Sequence, residues 1–174
     1  MSSPQMNEQV VNGVTFDAVD LRLLSILQVD AGHTNQDLAD LVHVSPATCL
    51  RRVRRLAELG VIKRRVALLD ADKLGPSIQV ICEVTLDRQG QEHVEAYEAI
   101  AAAHPAVQQC YRVSPGPDLV LVAAARDMAA WAAVVAGLFT QHANVRNLKT
   151  FFVLHRSKFE TAQPIPTSGQ QRDR

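Results

Sequence analysis

Three short apolar stripes at helical spacing open the chain, and alternating or continuous apolar runs close it. Leu21, Leu24 and Leu27 recur every third residue, which predicts a first helix. Asp17 is placed to cap it, Asp20 follows three residues later, and Phe16 is placed to staple onto Leu21. A second helix is expected from Thr34, with Asp37 three residues on and Leu38, Leu41 and Val42 as its apolar face. The stretch "HVS" reads as a turn. Ser45 then caps a third helix, and Pro46 suits its first position because that amide has no helical partner. Gly60 stands just past its end. On a helical wheel Cys49, Leu50, Val53, Leu56 and Ala57 share one side. Thr48, Arg51, Arg52, Arg55 and Glu58 share the other, with Arg54 at the margin. Residues 61–69, "VIKRRVALL", read as a strand and "DADKLG" as a linker.

The character changes at Pro76. Ile78, Val80, Cys82, Val84 and Leu86 alternate strictly, as in a strand with one buried face. "QEHVEAYEAIAAAH" is helical and is stopped by Pro105. "AVQQCYRV" and "DLVLVAAA" read as strands around the "SPGP" turn, "DMAAWAAVVAGLF" as a helix and "NVRNLKTFFVLHR" as a last strand. The order is β-α-β-β-α-β, the ferredoxin-like pattern. Tyr97, Trp131 and Phe139 are expected in its core, and one of Phe151 and Phe152 at a subunit interface.

The fold class is therefore α+β: a winged helix-turn-helix followed by a ferredoxin-like βαββαβ domain. The expected divisions are a flexible leader (1–14), the winged helix-turn-helix (15–66), a linker (67–76), the ferredoxin-like domain (77–160) and a disordered tail (161–174).

Charge sharpens this picture. The chain has a net charge of +0, yet it is segregated. Glu8, Asp17, Asp20, Asp30, Asp37 and Asp40 face only Arg22 in residues 1–42. Arg51, Arg52, Arg54, Arg55, Lys63, Arg64 and Arg65 face only Glu58 in residues 45–66. Local charge, not the total, decides what a surface attracts. In a helix-turn-helix the third helix enters the major groove by its N-terminal half. A guanidinium bonds two acceptors at once on guanine or phosphate, which suits arginine to that place. Ser45 and the first-turn amides are placed to receive a phosphate.

The N-terminus has neither a basic start nor an apolar run, so no signal peptide is expected. No segment has the length of a membrane span. Cys49, Cys82 and Cys110 are odd in number and widely spaced, which fits a reducing compartment. The expected location is cytoplasmic, at the nucleoid. No catalytic signature and no metal-ligand spacing stands out, so an enzyme, a metal site and a cofactor are not expected.

"DAVDLRLLSIL", "NQDLADLVHVSPATCLRRVRRLAELGVI", "ALLDADKLG" and "YRVSPGPDLVL", followed by "VRNLKTFFVL", resemble the Lrp/AsnC family of transcription regulators over residues 16–160. The resemblance implies a sequence-specific regulator that binds double-stranded, pseudo-palindromic DNA as a homodimer or a multiple of dimers, such as an octamer. By position Ser45, Pro46, Thr48, Arg51, Arg52 and Arg55 match the family's DNA-facing residues. Thr48, Arg51 and Arg52 are expected nearest the bases, and Arg55, Lys63, Arg64 and Arg65 on phosphates. His43 stands where the family often has glycine, and histidine tolerates a left-handed backbone better than most residues.

The resemblance also implies a free amino acid bound between C-terminal domains. The family's loop pattern is a small residue, glycine, two residues and aspartate; here it reads "SPGPD". Ser114 matches the small residue and Asp118 the aspartate, but Pro115 replaces the glycine and offers no amide. Gly116 keeps one amide. The candidate effector residues are Ser114, Gly116, Asp118 and Thr150, with Asp118 set against a ligand ammonium or used only to hold its turn. The alternative to a regulator is a weakly specific, nucleoid-organising DNA-binding protein without an effector.

Overall fold

The computed structural model describes residues 9–11, 13–142 and 144–165, with the backbone alone at Asp72. Its contacts divide the chain into two compact units. One runs to Leu68 and takes in the segment from Phe159; the other is Leu69–Lys158.

The first unit opens with a hairpin. β1 (Gln9–Val11) pairs antiparallel with β2 (Val14–Phe16), and Gly13 in the turn has φ +80. The expected flexible leader is corrected to that extent, while residues 1–8 lie outside the described residues. Asn-Gly between apolar runs is itself a hairpin signal, outweighed here by the polar residues before it.

Helix α1 (Ala18–Leu27) starts on a complete capping box between Asp17 and Asp20, and α2 (Asn35–Val42) on one between Thr34 and Asp37. His43 closes α2 in the left-handed conformation, φ 57, as its type tolerates. Ser45 caps α3 (Pro46–Glu58) with Pro46 in its first turn, and Gly60 at φ +72 follows its end. Leu23, Leu38, Ala39, Val42, Cys49 and Val53 make one apolar cluster. Phe16, Leu21 and Leu56 make another, against which Ile165 packs. The backbone N–H of Gln163 also donates to Gln28 Oε1 at 2.8 Å. Residues 161–165 therefore return to the first unit instead of forming part of a disordered tail, and residues 166–174 lie outside the described residues. Leu41, Leu50 and Ala57, placed on apolar faces by periodicity, are exposed.

Residues 61–69 are not a strand. The amides of Val61 and Ile62 both donate to the Leu56 carbonyl, closing the end of α3. The residues after them meet no partner strand among the described residues, and an extended segment becomes a strand only by pairing. Val66, Leu68 and Leu69 are consequently exposed.

The second unit has the ferredoxin-like order. β3 (Ile78–Leu86), α4 (Gln91–Ala103), β4 (Val107–Arg112), β5 (Leu119–Ala125), α5 (Met128–Val134, continued by a π-helical turn over Val135–Thr140) and β6 (Val145–Phe152) follow in sequence. The antiparallel sheet is ordered β4-β5-β3-β6. Val80, Cys82, Val84 and Leu86 face the helices with Tyr97, Trp131 and Phe139, as their periodicity predicts. Phe151 pairs with outward-facing Ile81, and Phe152 with inward-facing Val80, yet both phenylalanines stay exposed at the strand end. Burial pushes the thiol of Cys82 up to about 11.

Candidate functional site

The third helix carries the basic face because its cap and its core anchor it independently of the arginines. Ser45 Oγ accepts the Thr48 amide at 3.3 Å and donates to Thr48 Oγ1 at 2.9 Å. Asn35 Nδ2 donates to the Pro46 carbonyl at 2.9 Å, tying the start of α2 to the first turn of α3. Cys49, Val53 and Leu56 hold the opposite face in the core.

The arginines divide into two sets. Arg52 Nη1 bonds Asp17 Oδ2 at 2.6 Å and Asp20 Oδ1 at 2.9 Å. Arg55 Nη1 bonds Asp20 Oδ2 at 3.2 Å, and its Nη2 donates to the Thr15 carbonyl at 2.9 Å. The Asp20 side chain is only 4% exposed, so the pair of guanidinium groups is what compensates its charge. Burial pushes the Asp17 carboxyl up, but the Asp20 amide and the Arg52 guanidinium outweigh it and hold the group below its usual range. Arg51, Arg54, Lys63, Arg64 and Arg65 are exposed and have no hydrogen-bond or ion-pair partner among the described residues.

Arg54, Lys63, Arg64 and Arg65 also line one groove of about 410 Å³ with Leu50, Val53, Ala57 and Ile62. One flank of α3 is thus occupied by the carboxylates of α1 and its cap, and the other presents cations to solvent. Of the residues expected to meet DNA, Ser45, Pro46, Thr48 and Arg51 lie together at the exposed start of α3, and Lys63, Arg64 and Arg65 beyond its end. Arg52, expected nearest the bases, and Arg55, expected on phosphates, are folded back on Asp17 and Asp20 in the free chain. Arg54, at the margin of the helical wheel, is exposed and lines the groove. Asp17 and Asp20 look in sequence like capping residues and nothing more. Their second role depends on contacts 32 and 35 residues away, which no local pattern reports.

In the second unit, Gln89, Gln91, Val94, Arg112, Val113 and Asp118 line a cavity of about 350 Å³, near the small end of ordinary ligand sites (roughly 300–1,000 Å³). Asp118 Oδ2 accepts the Leu86 amide at 2.7 Å and the Gln89 side chain at 3.3 Å. The Asp118 amide donates to the Val84 carbonyl at 2.9 Å. Arg112 pairs with Glu98. Asp118 therefore both faces a cavity and fastens the loop to β3. Ser114 and Gly116 do not line this cavity, although Gly116 has the open φ of +128 that suits glycine. Thr150 pairs with Cys82, four residues along β3 from Leu86, or about 13 Å at strand spacing. A single chain does not bring Thr150 to Asp118. Of the lining residues only Asp118 is among the sequence candidates; Gln89, Gln91, Val94, Arg112 and Val113 are not, and Arg112 stands two residues before the SPGPD loop.

Residues 16–63 match a winged helix-turn-helix DNA-binding family, and residues 79–163 match the Lrp/AsnC ligand binding domain. A leucine-responsive regulatory protein of Rhizobium meliloti is 36% identical over 145 residues, covering 83% of this chain and 93% of that one. Its counterpart from Salmonella typhimurium is 32% identical over 155 residues, covering 89% and 94%. Among solved structures, a transcriptional regulator of Neisseria meningitidis in complex with L-Met superposes with a TM-score of 0.77 at 29% identity, covering 86% of this chain and 96% of that one. The fold, the matched halves and these relatives agree: the chain belongs to the Lrp/AsnC family of DNA-binding transcriptional regulators.

Proposed function

We propose that this regulator binds its operators sequence-specifically, with Thr48 and Arg51 at the bases and Ser45, Pro46, Lys63, Arg64 and Arg65 at the backbone. The observation that carries the reading is the exposed Arg51, without a partner among the described residues, in the N-terminal half of a helix whose cap and core are already fixed. That half of the helix is the part that meets base edges in this motif. Arg52 and Arg55 support the helix from behind. Arg54 joins Lys63, Arg64 and Arg65 as a phosphate-binding set, because all four line one groove.

The protein works in the cytoplasm, as a homodimer or a multiple of dimers, and carries no catalytic activity of its own. Its signal is a free amino acid, held in a cavity that Asp118 and Arg112 border with opposite charges. The L-Met complex of the Neisseria relative supports that ligand class. Ser114, Gly116 and Thr150 complete the site only with a second subunit.

Two titrations test the reading. Binding to a selected operator should exceed binding to random DNA by about a thousandfold or more at physiological salt. Equal affinities would leave the nucleoid-organising alternative in its place. A thermal-shift panel of the free protein against amino acids should give a raised melting temperature for at least one, since a ligand of the folded state alone stabilises it. No shift with any amino acid would remove the effector half of the proposal.

A further inference from the structure

Arg52 and Arg55 point into the first unit while their neighbours point out, and the difference lies in Asp17 and Asp20. We propose that these two carboxylates are positioning residues that withhold Arg52 and Arg55 from the DNA backbone and so set the ratio of specific to non-specific binding. The proposal rests on the reading of α3 as the DNA-contacting helix.

Non-specific affinity for DNA grows with every phosphate a cation neutralises, because each neutralised phosphate releases counterions. Four arginines within five positions on one helix would make that background term large. The structure cancels half of it locally. Arg52 is bound at 2.6 Å and 2.9 Å by two carboxylates, and Arg55 at 3.2 Å by one of them and at 2.9 Å by a backbone carbonyl. For either guanidinium to turn to a phosphate, Asp20 must lose a partner at 4% exposure, where an unpaired charge is strongly unfavourable. Arg52 itself is only 23% exposed.

Arg51, Arg54 and the Lys63–Arg65 run face no carboxylate among the described residues, so the exposed flank keeps its attraction. The effect is selective. The carboxylates leave the groove lined by Arg54 untouched and remove the charges on the α1 side of the helix.

Asparagine substitutions test this with little cost to the fold. Asparagine caps helices as well as aspartate does, and its side-chain oxygen still accepts a hydrogen bond, so Asp17→Asn and Asp20→Asn remove charge and keep the capping geometry. Fluorescence anisotropy of the full chain on a random-sequence duplex, titrated over a series of salt concentrations, gives the slope of log affinity against log salt. In the doubly substituted protein the slope should steepen by about 0.9 for each arginine released, and the specificity ratio should fall. The gain should disappear when Arg52→Gln and Arg55→Gln are added, which a merely structural role would not produce.

An unchanged slope in variants that melt cooperatively would overturn the proposal, as would a gain that persists without the two arginines. If Asp20→Asn does not fold, Arg55→Gln alone in the otherwise unsubstituted chain should leave the slope unchanged, and a slope shallower by about 0.9 would overturn the proposal equally. Failure of the unsubstituted protein to bind any duplex at low salt would overturn the DNA reading itself, and the proposal with it.

Discussion

The basic helix and the SPGPD loop carry charged side chains for opposite structural reasons. On α3, the arginines assigned to DNA are those without a partner among the described residues: Arg51 and Arg54 project while Arg52 and Arg55 are occupied. In the loop, the aspartate assigned to a ligand is already in use, because Asp118 accepts the Leu86 amide and the Gln89 side chain. The contrast teaches that charge in a sequence locates a candidate site, but the partners already satisfied decide which charges remain for a ligand. An unpaired exposed arginine costs the folded state little. An aspartate fastened to a strand edge must keep its fold bonds while it meets a ligand.

The largest expected effect on that contrast comes from Asp20→Ala. It leaves Arg55 without its carboxylate and Arg52 with only Asp17, so unfolding should become easier by about 2 kcal/mol. The figure sits below that of a fully buried pair because Arg55 remains 44% exposed. Chemical denaturation measures it, and a loss within ~0.5 kcal/mol would mean that the network is a surface feature. Asp118→Ala should cost about 1–2 kcal/mol of stability in the same assay, because the Leu86 amide loses its acceptor. Unchanged stability there would free Asp118 from its structural duty and bring the loop closer to α3 in kind. Ser45→Ala removes the cap of α3 and should cost about 1 kcal/mol. The same melts would reveal any coupling to operator binding.

The smallest effect is one of pH. Asp17 titrates below its ordinary value of 3.8 in the folded chain, so its contribution is complete above that value and is lost as the pH falls through the folded one. Stability measured on acidification below about pH 4 should therefore drop less steeply in Asp17→Asn than in the unsubstituted protein. Parallel curves would assign the acid sensitivity elsewhere.

Local chemistry made much of this legible before any coordinates. The capping boxes at Asp17 and Thr34, the Ser45-Pro46 start and the Gly60 stop are all written within four residues, and each helix began and ended accordingly. The alternation of Val80, Cys82, Val84 and Leu86 fixed the buried face of β3 in the same way. What escaped depends on distant partners. Residues 61–69 have a strand-like composition and no strand beside them among the described residues. The return of Ile165 to Phe16, Leu21 and Leu56 joins segments far apart in the sequence, which no periodicity records. The wheel placed Arg52 with Arg51 because it knows the angle of a side chain and not the carboxylates of a neighbouring helix. Similarly, the family resemblance groups Thr150 with Asp118, and the sheet register keeps the two apart within one chain.

The most direct test of the central claim is the affinity of Arg51→Ala for a selected operator at fixed, near-physiological salt, measured beside its melting temperature. A loss of about 1–3 kcal/mol in operator binding is expected with stability unchanged, since Arg51 has no partner to lose among the described residues. Operator affinity equal to that of the unsubstituted protein would contradict it and would move the DNA-reading surface away from the exposed face of α3.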